Sequence, residues 1–192
     1  MVSNRYKKPF QAKEFKKGYL KINENIQIEK DFTVSSWVNL ASDKQYNTLV
    51  SFSEDEGKNS IWIGFSRLSF HVEINFVKMK YTTPLQMNIW THVTFVLKNN
   101  IGYMYLNGDF IYKNPLAVSQ NAEKSHNFIG KDAHNSSLYM AEAIYEDLKI
   151  YKGALAADEI KAEFNKDGKI HKNIFRDVMK KKIIIKIIFS LS

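Results

Sequence analysis

The sequence predicts an all-β fold, an antiparallel β-sandwich of jelly-roll type with one short C-terminal helix. Three observations carry this. Asn107-Gly108 lies between the alternating runs Tyr103–Leu106 and Asp109–Tyr112. Both residues tolerate the positive φ that a two-residue type I′ hairpin turn requires. Long stretches also repeat with period two: in 90–97, Thr91, Val93, Phe95 and Leu97 fall on one face and His92, Thr94 and Val96 on the other. Helical spacing, by contrast, is found over Asp158–Asn165, where Ile160 and Phe164 stand at i and i+4.

The elements follow in order. Residues 1–17 read as a basic lead-in broken by Pro9. Gly18–Ile22 and Ile26–Ile28 are short strand-like pieces around an Asn-Glu-Asn turn. Asp31–Leu40 is a strong strand, with Phe32, Val34, Ser36 and Val38 on one face and Thr33, Ser35 and Trp37 on the other. Leu49–Ser53 is the next strand, followed by the acidic loop 54–59. Ser60–Phe65 and Leu68–Val77 form a hairpin turning at Ser66-Arg67. That register puts Ile61, Ile63, Phe65, Leu68, Phe70, Val72, Ile74 and Phe76 in the core, and Trp62 opposite His71 on the other face. Beyond Pro84 come the strands around Asn107-Gly108, a polar connection over 115–123, a short strand at Asn127–Gly130 and a loop to Ser137. A long strand over Tyr139–Tyr151 and the short helix close the domain. Trp37, Trp90 and His92 sit inside strand motifs and are read as core or structural side chains.

Composition bounds the function. The chain has 192 residues, 14% of them aromatic, enough for one domain with a sizeable core. It has no cysteine, which excludes disulfides, thiolate metal sites and cysteine catalysis. The net charge of +8 is concentrated at the ends. Residues 1–17 hold six Lys/Arg against Glu14, and 165–192 hold eight against Asp167 and Asp177. The body, 18–164, carries 14 basic and 17 acidic residues. Nucleic-acid binding wants a basic stripe on the fold itself, so no nucleic-acid partner is expected. The N-terminus lacks an apolar run of signal-peptide type. The chain is therefore expected to stay inside, to leave by another route, or to be a module of a longer protein.

Several phrases resemble the laminin G-like branch of the concanavalin A-like lectin/glucanase superfamily. They are Asp31–Val38, Trp90-x-His92-Val93, Tyr105-x-Asn107-Gly108, and Glu146–Tyr151 followed by Leu155, Glu159 and Ile160. The resemblance covers about residues 18–164. Two positions depart from it: the glycine usual before the acidic pair is missing, and Ala156 replaces the helix-capping serine, a loss of roughly 1 kcal/mol. The resemblance implies a sandwich domain at 18–164 and a non-catalytic, lectin-like module that recognises carbohydrate or a glycoprotein surface. It also implies an extracellular, cell-surface or virion-associated setting. A structural or adhesion module with a protein partner is the second reading, and a degenerate glycoside hydrolase the third. The tail, 165–192, lies outside the resemblance. Its apolar run, Ile183–Leu191, is too short to span a bilayer, which needs about 20 residues. An added edge strand, an oligomer contact, a membrane-surface anchor and a read-through end all fit it, and it is expected to be an appended element without an assigned role.

Sugar recognition needs an aromatic surface for the C–H face of a pyranose and polar side chains for its hydroxyls. Trp62, His71, Glu73 and Asn75 share one predicted sheet face, and Tyr81 follows in the adjoining loop. Two other arrangements are open to Trp62: burial beneath a covering loop, or a place on a merely solvated face. Members of the resembled superfamily often bind one Ca²⁺, which takes several hard oxygen ligands; Asp132, Glu146 and Asp147 are the expected donors. Asp55 is a weaker one, and an acidic pair that merely closes a strand end beside Lys149 is the alternative. The E-x-D-x-x-E strand of the related glucanases is absent. Glu142 and Glu146 lie roughly 13 Å apart along a strand, against the 5–5.5 Å or so that a retaining carboxylate pair requires. The sequence is therefore read as non-enzymatic.

Overall fold

The computed structural model of the chain describes residues 12–23, 25–28, 30–55, 58–118, 123–133, 137–165 and 183–187. The strands are β1 (Ala12–Lys16), β2 (Leu20–Ile22), β3 (Ile26–Gln27), β4 (Phe32–Leu40) and β5 (Asn47–Ser53). Then come β6 (Ile61–Ser66), β7 (Ser69–Ile74), β8 (Val77–Lys80), β9 (Thr91–Lys98) and β10 (Ile101–Leu106). The rest are β11 (Asp109–Pro115), β12 (Glu123–Lys124), β13 (His126–Ile129), β14 (Glu142–Lys152) and β15 (Ile183–Ile187). Helix α1 (Ala157–Phe164) lies between β14 and β15. One sheet has the order β1-β14-β4-β9-β10-β11, with β15 also on β14. The second has the order β2-β13-β5-β6-β7-β8, and β3 pairs with β12 alone. All pairings are antiparallel. No helix among the described residues is long and apolar enough to cross a membrane.

The two sheets share one core because each strand puts alternate side chains on its inner face. Phe32, Val34 and Val38 of β4 and Val93, Phe95 and Leu97 of β9 meet Ile61, Ile63 and Phe65 of β6 and Phe70, Val72 and Ile74 of β7. Each is buried, and each such side chain contributes about 1.5–3 kcal/mol. Asn107 and Gly108 have φ of 50° and 80° in the turn between β10 and β11, as the type I′ reading requires.

The structure corrects several expectations. The β6–β7 turn falls at Arg67-Leu68, both at positive φ, so Trp62 pairs with Glu73 and Gly64 with His71. This displacement shifts the register by two residues, and a shift of two leaves every side chain on its expected face. Strand β7 then stops at Ile74. Asn75 and Phe76 take positive φ in a second tight turn, and Phe76 is 73% exposed instead of buried in the core. Neither Trp37 nor Trp90 joins the core: both are half-buried, with Trp37 lying against Phe164 of α1. Tyr139 belongs to a 3-10 turn over Ser137–Tyr139, ahead of β14. Part of the expected lead-in, β1, pairs with β14 and buries Phe15 against Tyr145. Part of the tail, β15, pairs with the stretch of β14 from Leu148 to Tyr151. Residues 1–11 and most of 165–192 lie outside the described residues.

Candidate functional site

The outer face of the six-stranded sheet carries most of the residues expected to bind a ligand. Along β6 the outward positions are Trp62 and Gly64, along β7 Ser69, His71 and Glu73, and along β8 Lys78 and Lys80. The Trp62 indole lies across Gly64, where an added Cβ would stand 2.7 Å from the ring and 2.3 Å from the Asn47 carbonyl. Only glycine fits beneath that ring. The indole Nε1 donates to Thr48 Oγ1 at 2.8 Å, and Thr48 Oγ1 donates to the carbonyl of Tyr139. Trp62 is therefore held down and only 7% exposed. It forms the floor of the site, beneath the segment leading into β14, and is not an open platform.

The aromatic surface above it comes from two residues that the sequence reading did not select. Tyr46 and Tyr139 stack with centroids 4.2 Å apart and planes 8° from parallel. Each meets the Trp62 ring edge-on, at 6.1 and 5.9 Å. Both are half-buried. They stand 93 positions apart, and no local pattern in the sequence joins them. Edge-on and offset contacts between rings add to simple burial and fix ring orientation.

Polar groups flank this stack. Burial raises the Tyr139 hydroxyl to about 12, helped by its hydrogen bond to Tyr46 and by the charges of Tyr46, Glu73 and Asp132. It stays protonated and can donate. Glu73 is half-buried, 3.8 Å from Lys78. His71 is 5% exposed, and neither ring nitrogen has a hydrogen-bond partner. Burial, then the charges of Lys78 and Lys80, lower it to about 4, so the ring is neutral at pH 7. Asn75 lies at the turn beyond Glu73, where its backbone N–H donates to the Ser60 carbonyl. Tyr81 does not join the face. Its position follows the inward Met79 by two, and it packs against the core cluster.

The structure does not bring the three expected calcium donors together. Asp132 is buried beside Tyr139, on the outer side of the six-stranded sheet. Glu146 pairs in register with Trp37, which lies under α1 on the outer side of the other sheet. Asp147 binds Lys149 at 2.7 Å, at a bulge in the middle of β14 and not at a strand end. Among the described residues no group of three His, Cys, Asp or Glu side chains could hold a metal ion. These residues do not fit one calcium site, because the sandwich separates them.

Two packed antiparallel sheets place the chain among lectin-like β-sandwiches. The sequence matches the family described as the concanavalin A-like lectin/glucanases superfamily over residues 15–161, and the chain belongs to that family. No curated protein matches its sequence. Among solved structures it is similar to a heptameric SAP-like pentraxin from Limulus polyphemus, at 10% identity and a TM-score of 0.65, covering 88% of this chain and 85% of the pentraxin. It is also similar to a carbohydrate-binding protein described from Bacteroides ovatus, at 14% identity and TM-score 0.64, covering 78% and 45%. A third is a mutant NanB sialidase from Streptococcus pneumoniae, at 14% identity and TM-score 0.64, covering 79% and 27%. The chain thus spans most of the pentraxin but under half of the other two. At these identities the likeness is one of fold.

Proposed function

We propose that the chain is a non-catalytic carbohydrate-recognition module, and that a sugar ring lies on the outer face of the six-stranded sheet. The observation that carries this is the Tyr46–Tyr139 stack, half-exposed and braced from below by Trp62, with Glu73, Lys78 and Lys80 at its side. An aromatic surface beside polar groups matches a pyranose, which has an apolar C–H face and a rim of hydroxyls. Trp62 acts in this reading by positioning Tyr139 and does not touch the ligand. Catalysis is not supported by the chemistry of the face: the Tyr139 hydroxyl is held protonated, and the neutral His71 has no carboxylate orienting it. Calcium is given no role at this face.

A protein-binding adhesion role is the second reading. It is favoured by β11, which ends its sheet among the described residues and on which Phe110 and Tyr112 are 52% and 37% exposed.

A glycan array probed with the full chain separates the two. Selective retention that survives chelation, and that Tyr139→Ala reduces by about tenfold or more with the fold intact by circular dichroism, is the expected result. Retention unchanged in Tyr139→Ala would remove the site from this face. Reducing-sugar release that disappears in Glu73→Gln would overturn the non-catalytic reading.

A further inference from the structure

His71 is the least explained buried group on this face. It lies in the middle of β7, opposite Gly64 on one side and Lys80 on the other, with its ring 5.2 Å from Trp62 and nearly perpendicular to it. Both nitrogens are enclosed and both lack a partner. Buried polar groups almost always find one, so an imidazole left without any invites a functional explanation. A purely structural side chain here would be better as phenylalanine or leucine.

Lys80 supplies the second, independent observation. It is exposed, sits directly across from His71, and pairs with no carboxylate among the described residues. Lys78, its neighbour on the same face, is engaged at 3.8 Å by Glu73. The face therefore holds an unneutralised ammonium beside an imidazole with an unused N–H. A hydroxyl group could accept from the imidazole but would leave the ammonium unpaired. An anionic oxygen group satisfies both, and charge-assisted bonds of this kind are the stronger ones.

Resting on the carbohydrate reading above, we propose that the saccharide bound here bears an acidic group, a carboxylate or a sulfate, seated between Lys80 and His71. The Lys80 stem moves aside to admit the anion. The ammonium and the imidazole N–H then donate to its oxygens, while the sugar ring lies against Tyr46 and Tyr139.

The test uses the full chain and matched pairs of oligosaccharides on an array. Oligogalacturonates are set against uncharged galactans, and sulfated N-acetyllactosamine against its unsulfated form. Solution titration of the best pair follows. The acidic member of a pair should bind about tenfold or more tightly than the neutral one, with the advantage shrinking in high salt. The pair showing that preference tells carboxylate from sulfate. Lys80→Met should remove the preference, bringing the acidic member down to the affinity of the neutral one. His71→Phe should weaken acidic binding roughly three- to tenfold while raising the melting temperature, because it removes an unpartnered polar group. A structural histidine would show the reverse, a lower melting temperature with binding untouched, and that result overturns the proposal. Equal binding of acidic and neutral members, indifferent to Lys80→Met, overturns it too but leaves the carbohydrate site standing. Binding of no glycan at all defeats the underlying reading along with it.

Discussion

The outer faces of the two sheets are built on opposite plans. On the seven-stranded sheet, Ile160 of α1 and Leu155 just before it pack over Val96, Tyr105 and Tyr151, and Phe164 lies near Trp37 and His92. The charges beneath are matched. Lys149 Nζ donates to Asp147 at 2.7 Å and to Glu163 at 2.6 Å. Burial disfavours the ammonium, yet the two carboxylates outweigh it and the Lys149 pKa is raised. On the six-stranded sheet, the cover is a short turn bearing Tyr139, and His71 is left without a partner. One face is closed and its buried ammonium is paired, which suits stability, although the Ser35 and Thr94 hydroxyls beneath lack partners. The other is half-open and keeps a costly group, which suits recognition, since functional sites are where local consistency is given up.

The largest effect should come from breaking the closed face. Lys149 and Glu163 expose only 2% and 4% of their side chains. Lys149→Ala leaves the Glu163 carboxylate buried without its cation, and removing one partner of a buried pair typically costs about 3–5 kcal/mol. Urea unfolding followed by Trp fluorescence should show that loss, with Trp37 reporting on α1. The double variant Lys149→Met/Glu163→Gln should recover much of it, because the one charge left without its partner, Asp147, is 26% exposed and reaches water. A Lys149→Ala protein as stable as the parent would mean that water reaches Glu163 and that the two faces are less different than described.

A pH series sharpens the comparison from the other side. The folded state holds His71 at about 4, against 6.5 when unfolded. Between these values the unfolded chain takes up a proton that the folded chain refuses. Stability is therefore full above pH 6.5 and falls as pH drops toward 4, by about 3 kcal/mol. Lys78 and Lys80 on β8 push in the same direction as burial, while Glu73 on β7 lies 3.8 Å from Lys78. Carboxylates elsewhere also titrate in acid, so the quantity to measure is the difference from His71→Phe. Urea midpoints at pH 7, 5.5 and 4 should fall less steeply in the variant. Parallel slopes would show that the ring is not buried as neutral imidazole.

How much of this was legible in sequence depends on the range of the contact. The faces of β4 and β9 follow from alternation alone, and the β10–β11 turn from Asn107-Gly108. Even the misplaced β6–β7 turn preserved the outward set of Trp62, His71 and Glu73, because the error was two residues. The errors beyond it have local physical causes. Asn75-Phe76 forms a turn because Asn tolerates positive φ, but the apolar Phe76 continues the strand's alternation and hides the break. Tyr81, expected to flank the ligand face from the loop after the hairpin, instead packs against the core. The stack of Tyr46 on Tyr139, and the separation of Asp132 from Glu146 by the thickness of the sandwich, arise only when distant strands are laid side by side. Trp62 followed two residues later by Gly64 was the one available hint that the indole would lie flat and be covered.

The smallest effect tests whether the closed face can be improved without disturbing the open one. Ala156 already has the extended backbone of a helix N-cap, φ −78° and ψ 162°, but offers no side-chain acceptor. The reciprocal half of the capping arrangement is in place, since Glu159 Oε2 accepts from the Ala156 N–H at 2.6 Å. Ala156→Ser supplies the missing oxygen for the N–H groups of the first turn. The gain should be about 1 kcal/mol, or roughly 2–4 °C in melting temperature for a domain of this size. Calorimetry measures it directly. Glycan affinity should not change, because α1 rests on the sheet opposite the proposed site. If the serine stabilised the protein and also altered binding, the two faces would be coupled through the core, and the division between a stabilising face and a recognising one would fail.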